Sequence, residues 1–448
     1  MAAGAPRLGG PSRRSGGGGK EVPPDWASLQ VEMTHLIAER VLATGDFLDY
    51  VRFRAVCSHW RAAAASPRGR GLVDPRLHPR RWMLFPEGFR EYPGHPAHGG
   101  HARFFDLSAA GAIVRAPIPE LENHCVLDSP DGLLLLQRDG DTAVRLLHPF
   151  TGDLAELPSI RSLAKQLSPL DNLPGNGSDL VCVLVRKVCA AVNVTATGVV
   201  SVMLALERFG RVAFASAGDD EWTISSWKVR GLYRTLGYQG KLYTVKQEPE
   251  LTHISLITLP LPPHEGQVSL PELPPPKTVA TCSSEHIFLP SLVELDSEIM
   301  LVGYNNSSCS CILVLKLADL VVGRIVPVAS IGDHVIFAGA RSLCVSSSWL
   351  PSIGSNSVIF FHAGYGHLMQ YHLVTGAWST ASDGYLMPST QTRPCGLIHH
   401  IFTCCDRQFW NKGFLFYNAS RVPEWQGMQT WRIGDASFRG FLGFHCTF

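Results

Sequence analysis

The sequence predicts an α+β multidomain protein, with a three-helix module at the N-terminus followed by a mainly-β domain that we expect to be a β-propeller. Helical spacing of apolar residues is confined to one short stretch near the N-terminus. After it, strand-sized apolar runs divided by Gly, Asp, Asn and Pro continue towards the C-terminus. These patterns divide the 448 residues into a disordered leader at 1–24, the helices at 25–66, a linker at 67–80 and the β-rich domain at 81–448.

Composition and charge exclude several classes of protein. The chain has 39 basic and 38 acidic residues, a formal net charge of +1, so no global field draws it to a polyanion. Hydrophobic residues make up 45% and charged residues only 17%, which is typical of a globular protein with a large buried core. We therefore expect neither nucleic acid nor a membrane among its partners.

The leader and the cysteines indicate a compartment. Residues 1–24 are mainly Gly, Pro, Ser, Ala and Arg, contain no apolar signal region and cannot bury enough surface to fold. The twelve cysteines lack the short-range spacing of a secreted disulfide scaffold, and we interpret them as reduced thiols. The most apolar stretch, 180–206, is interrupted by Arg186, Lys187 and Asn193, so it does not predict a membrane span. We expect cytoplasm, nucleus or both.

Three short helices are predicted in the N-terminal module. The first is predicted by apolar residues at helical spacing, Met33, Leu36, Ile37 and Val41. Asp46 is a suitable N-cap for the second, whose apolar residues are Leu48, Val51, Ala55 and Val56. The third follows Cys57 and continues through the alanines at 62–65 until Ser66-Pro67 ends it.

The β-rich domain is predicted from many short apolar runs over some 350 residues. The runs lie at 132–136, 231–233, 240–243, 291–295, 299–304, 311–317, 335–338, 357–361 and 368–373. Such a series favours a propeller or a large sandwich. Residues 259–277 contain seven prolines and predict a long exposed loop within this domain.

One short sequence motif occurs twice and supports a repeated architecture. Residues His148 to Gly152 and His372 to Gly376 share the pattern H-x-x-T-G, and each copy follows an apolar run. We expect Thr-Gly to close a turn between two strands in both copies.

The N-terminal module resembles an F-box. Trp26 and Leu29 open the family pattern, Glu32 and Met33 follow, and Val56-Cys57-Ser58-His59-Trp60-Arg61 matches its Val-Cys-x-x-Trp-Arg end. Gln30 stands where the family usually has proline, so we expect a less rigid entry into the first helix and weaker docking.

The β-rich domain resembles the β-propeller that accompanies F-boxes in plants, called the KIB type. The resemblance covers roughly residues 75–380 and fades afterwards. The segments that carry it lie at 129–136, 148–152, 292–295, 299–302, 337–339, 342–346 and 357–361, in the order of the family.

The two resemblances together imply a substrate-receptor subunit of a Skp–cullin–F-box ubiquitin ligase, which is not itself an enzyme and needs no cofactor. The F-box would bind the Skp adaptor, and through it cullin, and the β-rich domain would bind a protein target. The positions implied for adaptor binding are Trp26, Leu29, Met33, Leu36, Ile37, Val41, Asp46, Val56, Cys57, Trp60 and Arg61. The sequence identifies no target-binding residue. The alternatives are a scaffold without ligase function and a propeller binding module without a ubiquitin role.

Motifs for other functions are weak. The chain has no Gly-x-Ser-x-Gly elbow, and the residues at 364–367 lack the third glycine of a dinucleotide fingerprint. The cysteines at 309 and 311, His399-His400 and Cys404-Cys405 lack C-x-x-C spacing, so we expect no metal. Five arginines between 68 and 81 lack the stacking aromatics of a nucleic-acid surface, and we interpret them as a solvated linker or a weak nuclear signal.

Overall fold

The computed structural model begins its description of the chain at Trp26. The described residues are 26–43, 47–85, 93, 96–108, 112–170, 188–258, 272–305, 309–362, 367–381, 396–405, 414–417 and 420–423. The predicted leader lies outside them, as do Asp46 and most of the proline-rich loop.

The N-terminal module consists of helices α1 (Val31–Ala43), α2 (Phe47–Ala55) and α3 (Ser58–Ala63). Their shared core contains Ala38, Leu42, Phe47, Tyr50 and Phe53. Cys57 caps α3, because its Sγ accepts a hydrogen bond from the Trp60 N–H at 3.4 Å. Three short helices are therefore present where the sequence predicts them.

Six sheets between residues 82 and 380 form a six-bladed β-propeller, and we number them as blades 1 to 6. Blade 1 contains β1 (Trp82–Leu84), β2 (His101–Asp106) and β3 (Ile113–Pro117). Blade 2 contains β4 (His124–Asp128), β5 (Leu134–Arg138), β6 (Val144–Leu147) and β7 (Leu154–Leu157). Blade 3 contains β8 (Val188–Val194), β9 (Val200–Leu206), β10 (Arg211–Ser216) and β11 (Thr223–Ile224).

The second half of the ring follows the same plan. Blade 4 contains β12 (Thr235–Tyr238), β13 (Lys241–Gln247), β14 (Leu251–Ile257) and β15 (Lys277–Ser283). Blade 5 contains β16 (Phe288–Leu295), β17 (Glu298–Tyr304) and β18 (Ile312–Lys316). Blade 6 contains β19 (His334–Phe337), β20 (Leu343–Ser346), β21 (Ser357–His362), β22 (His367–His372) and β23 (Trp378–Thr380).

Consecutive strands pair antiparallel in blades 1 to 5, and blade 6 departs from this rule. Its strand order is β20-β19-β21-β22-β23, and β19 runs parallel to β21. The strands β4, β8, β12, β16 and β20 each form one edge of their sheet and lie beside one another around the propeller axis. They are the inner strands of their blades.

Apolar runs in this protein are continuous because each blade is covered on both faces. In the run from Leu133 to Leu136, the odd-numbered leucines pack towards blade 3 and the even-numbered ones towards blade 1. Successive side chains of a strand point to opposite faces, so a sheet between two neighbours needs apolar residues at every position.

The six blades share six apolar clusters, one at each interface. Pairs of residues from the two sides are Phe104 and Leu134 for blades 1 and 2, Leu135 and Val202 for blades 2 and 3, Phe214 and Leu242 for blades 3 and 4, Ile254 and Leu301 for blades 4 and 5, Val302 and Val358 for blades 5 and 6, and Phe337 and Phe105 for blades 6 and 1. The ring therefore closes on itself.

In the described part of the chain, three further helices pack at the margins of the ring. Helix α4 (Ile160–Leu170) packs on the cluster between blades 2 and 3, and α5 (Leu317–Val321) packs on that between blades 4 and 5. Helix α6 (Leu397–Cys404) packs where blades 6 and 1 meet. A separate hairpin is formed by β24 (Phe414–Tyr417) and β25 (Ser420–Pro423).

Most of the predicted strand runs are confirmed, and one is wrong. Residues 231–233 were expected in a strand, but Leu232–Arg234 forms a 3-10 turn after Gly231, whose φ is +94°. The stretch 180–206 contains strands β8 and β9 in its described part. Among the described residues, no helix is long and apolar enough to cross a membrane.

The two copies of the H-x-x-T-G motif form the same turn in blades 2 and 6. In both copies the Gly N–H donates to the His carbonyl, at 3.0 Å in blade 2 and 2.9 Å in blade 6. The Thr N–H donates to the His Nδ1, at 3.1 and 3.2 Å. The glycines, Gly152 and Gly376, have φ of +76° and +67°, which favours glycine there. The expected strand-to-strand turn is confirmed.

A buried carboxylate connects three blades near the axis. Asp128, in blade 2, is 2% exposed, and its Oδ2 accepts a hydrogen bond from the Ala190 N–H of blade 3 at 2.7 Å. Arg341, in blade 6, donates to the Ser129 carbonyl at 2.9 Å and lies 3.6 Å from Asp128 Oδ1. These contacts connect blade 6 to blades 2 and 3, across the position of blade 1.

We expect Asp128→Ala to destabilise the propeller by about 3 to 5 kcal/mol, because it leaves buried N–H donors and the Arg341 guanidinium without their carboxylate. Chemical denaturation would measure the free energy of unfolding. The matched control is Arg138→Ala, which removes a partly exposed ion pair with Asp141 in the same blade and should cost at most about 1 kcal/mol. Equal losses in the two variants would contradict the role of Asp128.

We also expect a pH-dependent loss of stability from His148. Burial lowers the pKa of His148 to about 4 in the folded protein, below its ordinary value of about 6.5. The unfolded chain then binds a proton in this range and the folded protein does not, so stability is full above about pH 6.5 and falls as the pH drops towards 4. From pH 7 to 5 this costs about 2 kcal/mol.

The measurement is denaturant unfolding of wild type and His148→Gln at both pH values. The difference between the two proteins isolates this residue from the other titrating groups. The glutamine variant should lose about 2 kcal/mol less than wild type, and identical losses would contradict the prediction.

Candidate partner-docking surface

Helix α1 uses one face to hold the module together. Thr34, Ala38 and Leu42 are buried, at spacings of four residues, and Ile37 and Val41 lie partly buried beside them. The Thr34 hydroxyl donates to the Gln30 carbonyl at 3.1 Å, which ties the residue before the helix to its first turn. The opposite side of α1 therefore remains available to a partner.

The segment before α1 is held in place by α3. The Trp60 indole N–H donates to the Trp26 carbonyl at 3.0 Å, and the His59 Nε2 donates to the Leu29 carbonyl at 2.7 Å. The Trp60 ring also packs on Phe53, with ring centroids 4.5 Å apart. The first residues of the module are thus fixed although Trp26 itself is exposed.

Several large apolar side chains of this module face solvent. Trp26 is 60% exposed, Met33 47%, Leu36 61% and Val56 59%. Met33 and Leu36 are three residues apart on α1 and so neighbour each other on its surface. Apolar side chains in this number on so small a unit indicate a protein interaction site. We call Trp26, Met33, Leu36 and Val56 the exposed apolar set.

The structure divides the eleven implied docking residues into groups. Trp26, Met33, Leu36 and Val56 form the exposed apolar set, and Arg61 is exposed as well. Leu29 and Cys57 are half-buried. Ile37, Val41 and Trp60 pack against the core of the module, and Asp46 lies outside the described residues.

Ile37 packs partly buried against the core of the module, so its implied part in adaptor binding stays a prediction. Leu36 and Ile37 are adjacent in sequence, and one residue turns a helix by about 100°, so only one of them can lie in the middle of a given face. The helix core is centred on Ala38, which draws Ile37 inwards and leaves Leu36 outside.

One face of α2 packs against the rest of the protein. Of the apolar residues at helical spacing in the sequence, Leu48 is half-buried, whereas Val51, Ala55 and Val56 are exposed. The buried residues are the aromatics Phe47, Tyr50 and Phe53. Aromatic side chains bury more area than valine or alanine, and their spacing of three residues was the signal that identifies this face.

Two arginines after the module, Arg70 and Arg76, form ion pairs with carboxylates. Arg76 contacts Asp74 at 2.8 Å and Glu39 of α1 at 2.5 Å, and Arg70 contacts Asp74 at 3.1 Å. Burial opposes ionisation of Asp74, but hydrogen bonds from Arg76 outweigh it and lower the pKa of Asp74. The ion pair of Arg76 with Glu39 therefore attaches the linker to α1, and the pairs with Asp74 lie within the linker.

A cluster of charges lies at the propeller axis. Asp131, after β4, lies 3.6 Å from Arg80 Nε and 3.8 Å from the Nδ1 of the buried His78. Glu294, in β16, is accessible to solvent, yet the surrounding protein raises the pKa of its carboxyl, as does Asp131. This cluster therefore contains two carboxyl groups, Asp131 and Glu294, beside the Arg80 guanidinium and the His78 imidazole.

We expect Ile37→Asp and Trp60→Ala to unfold the helical module and Leu36→Asp to leave it folded. A carboxylate at position 37 would be pressed, partly buried and without a partner, against the apolar core of the module, and loss of the indole costs about 3 kcal/mol. Position 36 stays in water. Hydrogen exchange of the amides in α1 to α3 would report folding, and protection equal to wild type in Ile37→Asp would contradict the placement of Ile37.

Comparison with known proteins identifies the propeller. The KIB1-4 β-propeller family model matches residues 104–379, more than half of the chain. No curated protein matches the chain.

Two solved structures show only a distant similarity. The β-propeller domain of Cps50 (Swd1) from Myceliophteria thermophila is 13% identical, with 63% of this chain and 78% of that chain covered and a TM-score of 0.25. Virginiamycin B lyase from Staphylococcus aureus is 11% identical, with coverages of 64% and 78% and a TM-score of 0.27. At these TM-scores neither carries a structural argument. On the match over residues 104–379, the chain belongs to the KIB1-4 β-propeller family.

Proposed function

We propose that this protein is the substrate-receptor subunit of a Skp–cullin–F-box ubiquitin ligase, in which the helical module binds the Skp adaptor and the propeller binds a protein target. The observation that carries the proposal is the exposed apolar set on a module whose sequence resembles an F-box. Trp26, Met33, Leu36 and Val56 are apolar, large and close to the matching motif residues, and burying them on an adaptor would remove that area from water.

In the proposed mechanism this chain supplies no catalytic residue. The adaptor and cullin would bind at one end and the target at the other, so the target's local concentration near the ubiquitin-charged enzyme rises. We propose on the same basis that the protein works in cytoplasm or nucleus, without nucleic acid, membrane or cofactor. Rate enhancement would then come from proximity alone.

One observation favours a second candidate function. The family match begins at residue 104 and leaves the three helices outside it. A propeller binding module or scaffold without a ubiquitin role is compatible with a family match that excludes the helices, because one fold can serve many functions. The two functions differ in one measurable property, the affinity of the helical module for a Skp adaptor.

We expect wild-type protein to bind purified Skp adaptor and Leu36→Asp to lose at least about 30-fold in affinity, equivalent to ~2 kcal/mol. The carboxylate would be desolvated in the complex without a partner, while the free helix keeps it in water. The measurement is calorimetric titration with full-length protein.

The matched control is Val374→Asp, since Val374 is 64% exposed and Leu36 is 61% exposed, and Val374 lies in blade 6. The control should bind like wild type. If the wild-type protein does not bind the Skp adaptor, the ligase function is overturned and the second candidate remains. If Leu36→Asp binds the adaptor with wild-type affinity, the exposed apolar set is not part of the interface.

A further inference from the structure

The turn of blade 2 at residues 148–153 contacts the helical module, the linker and the propeller core at once. It connects β6 to β7 and contains the first copy of the H-x-x-T-G pattern. Its contacts come from three side chains, His148, Phe150 and Asp153.

His148 is fully buried and uses both ring nitrogens. Its Nε2 lies 3.0 Å from the Leu77 carbonyl, and because a carbonyl only accepts, Nε2 carries the proton. Its Nδ1 accepts from the N–H groups of Phe150 and Thr151 at 3.3 and 3.1 Å. The ring also contacts Phe47 of α2, with centroids 5.1 Å apart. The neutral imidazole therefore joins the linker to its own turn beneath helix α2.

Phe150 belongs to two apolar clusters. Its ring stacks on Phe47 of the helical module, with centroids 5.7 Å apart and planes at 18°. On its other side it packs on Trp82 and Phe104 of blade 1, at 5.5 and 5.1 Å. One side chain thus connects the core of the module with the interface of blades 1 and 2.

Asp153 holds the linker by its backbone. Its two carboxylate oxygens accept hydrogen bonds from the N–H groups of Gly69 and Gly71, at 2.8 and 2.6 Å. A side chain at position 71 would be too close, because an added Cβ would lie 2.6 Å from Thr151 Oγ1. Backbone N–H bonds to a carboxylate are charge-assisted and short, so they fix the direction of the chain.

The second copy of the turn gives an internal comparison. The turn at 372–376 in blade 6 has the same backbone hydrogen bonds, yet Val374 stands at the place of Phe150 and is 64% exposed. Ala377 stands at the place of Asp153. The shared backbone turn is therefore a feature of the blade, and the contacts with the helices come from the side chains peculiar to blade 2.

We infer that residues 148–153 form a mount that holds the helical module and the propeller as one rigid body, with Phe150 and Asp153 as positioning residues. Short linkers between domains ordinarily permit relative motion. Here the linker backbone and helix α2 are both attached to one turn, and Arg76 attaches the linker to α1. Under the proposed function, on which this consequence rests, a bound target would be held at a fixed distance and orientation from the adaptor.

The test measures the distribution of distances between two spin labels on full-length protein by double electron–electron resonance. The labels are introduced as unnatural amino acids at Ala43 of α1 and Glu285 before blade 5, both exposed, because native cysteines would react with thiol labels. We expect one narrow distribution in wild type. Phe150→Ala combined with Asp153→Ala should broaden it about twofold or more, because the module is then free to move.

Two further variants separate positioning from general stability. Phe150→Tyr keeps the stacked ring and should restore a narrow distribution when Asp153 is intact. Val374→Ala changes the equivalent residue of the turn in blade 6 and should leave the distribution unchanged. Affinity for purified Skp adaptor should stay within about twofold of wild type in all variants, because none of them changes a residue of the exposed apolar set.

Two results would overturn the mount. One is a broad distribution in the wild-type protein, which does not depend on the folding of any variant. The other is a narrow distribution in the double variant. If the wild-type distribution is narrow but no Skp adaptor binds, the mount stands and the proposed ligase function fails, so the two outcomes are distinguishable.

Discussion

Each blade of this propeller has two apolar faces, and a sheet can bury both only when it has a neighbour on each side. This constraint closes the ring. Leu133 and Leu135 need blade 3, Leu134 and Leu136 need blade 1, and the same division recurs at Val335 and Ile336, whose side chains face blades 1 and 5. Blade 6 supplies the last two interfaces, and helix α6 adds further apolar area where it meets blade 1. Near the axis, the buried Asp128 and Arg341 add a polar connection between blades 2, 3 and 6.

The helical module depends on that ring for part of its own core. Three short helices contain too little apolar area to enclose every large side chain, and the module completes its core with Leu77 and Phe150 from outside. The buried side of the module therefore makes two sets of contacts, one among its own three helices and one with the linker and blade 2. The exposed apolar set on the outer side is what remains, and it is available because the propeller covers the inner face.

The sequence predicted much of the fold but less of the candidate site. Strand runs such as 299–304 and 357–361 are identifiable because β-rich segments between Gly, Asn and Pro form a local signal. The face of a short helix is less certain, since Leu36 and Ile37 are both apolar and only the position of the neighbouring helices selects between them. Likewise α2 buries its aromatic residues and leaves Val51 and Ala55 exposed, because larger rings gain more from burial.

The sequence by itself determined the two-part organisation, the repeated turns and the resemblance of the helical motif, because each depends on residues close together in the chain. Only the tertiary structure decided which apolar residues of the helices face outwards, how blade 6 inserts β19 between β20 and β21, and where the module is attached. Phe47 and Phe150 stack although about a hundred residues separate them, and Asp153 binds the backbone of Gly69 and Gly71. Contacts of this kind are set by ring closure, which brings distant segments together, and no local pattern of residues encodes them.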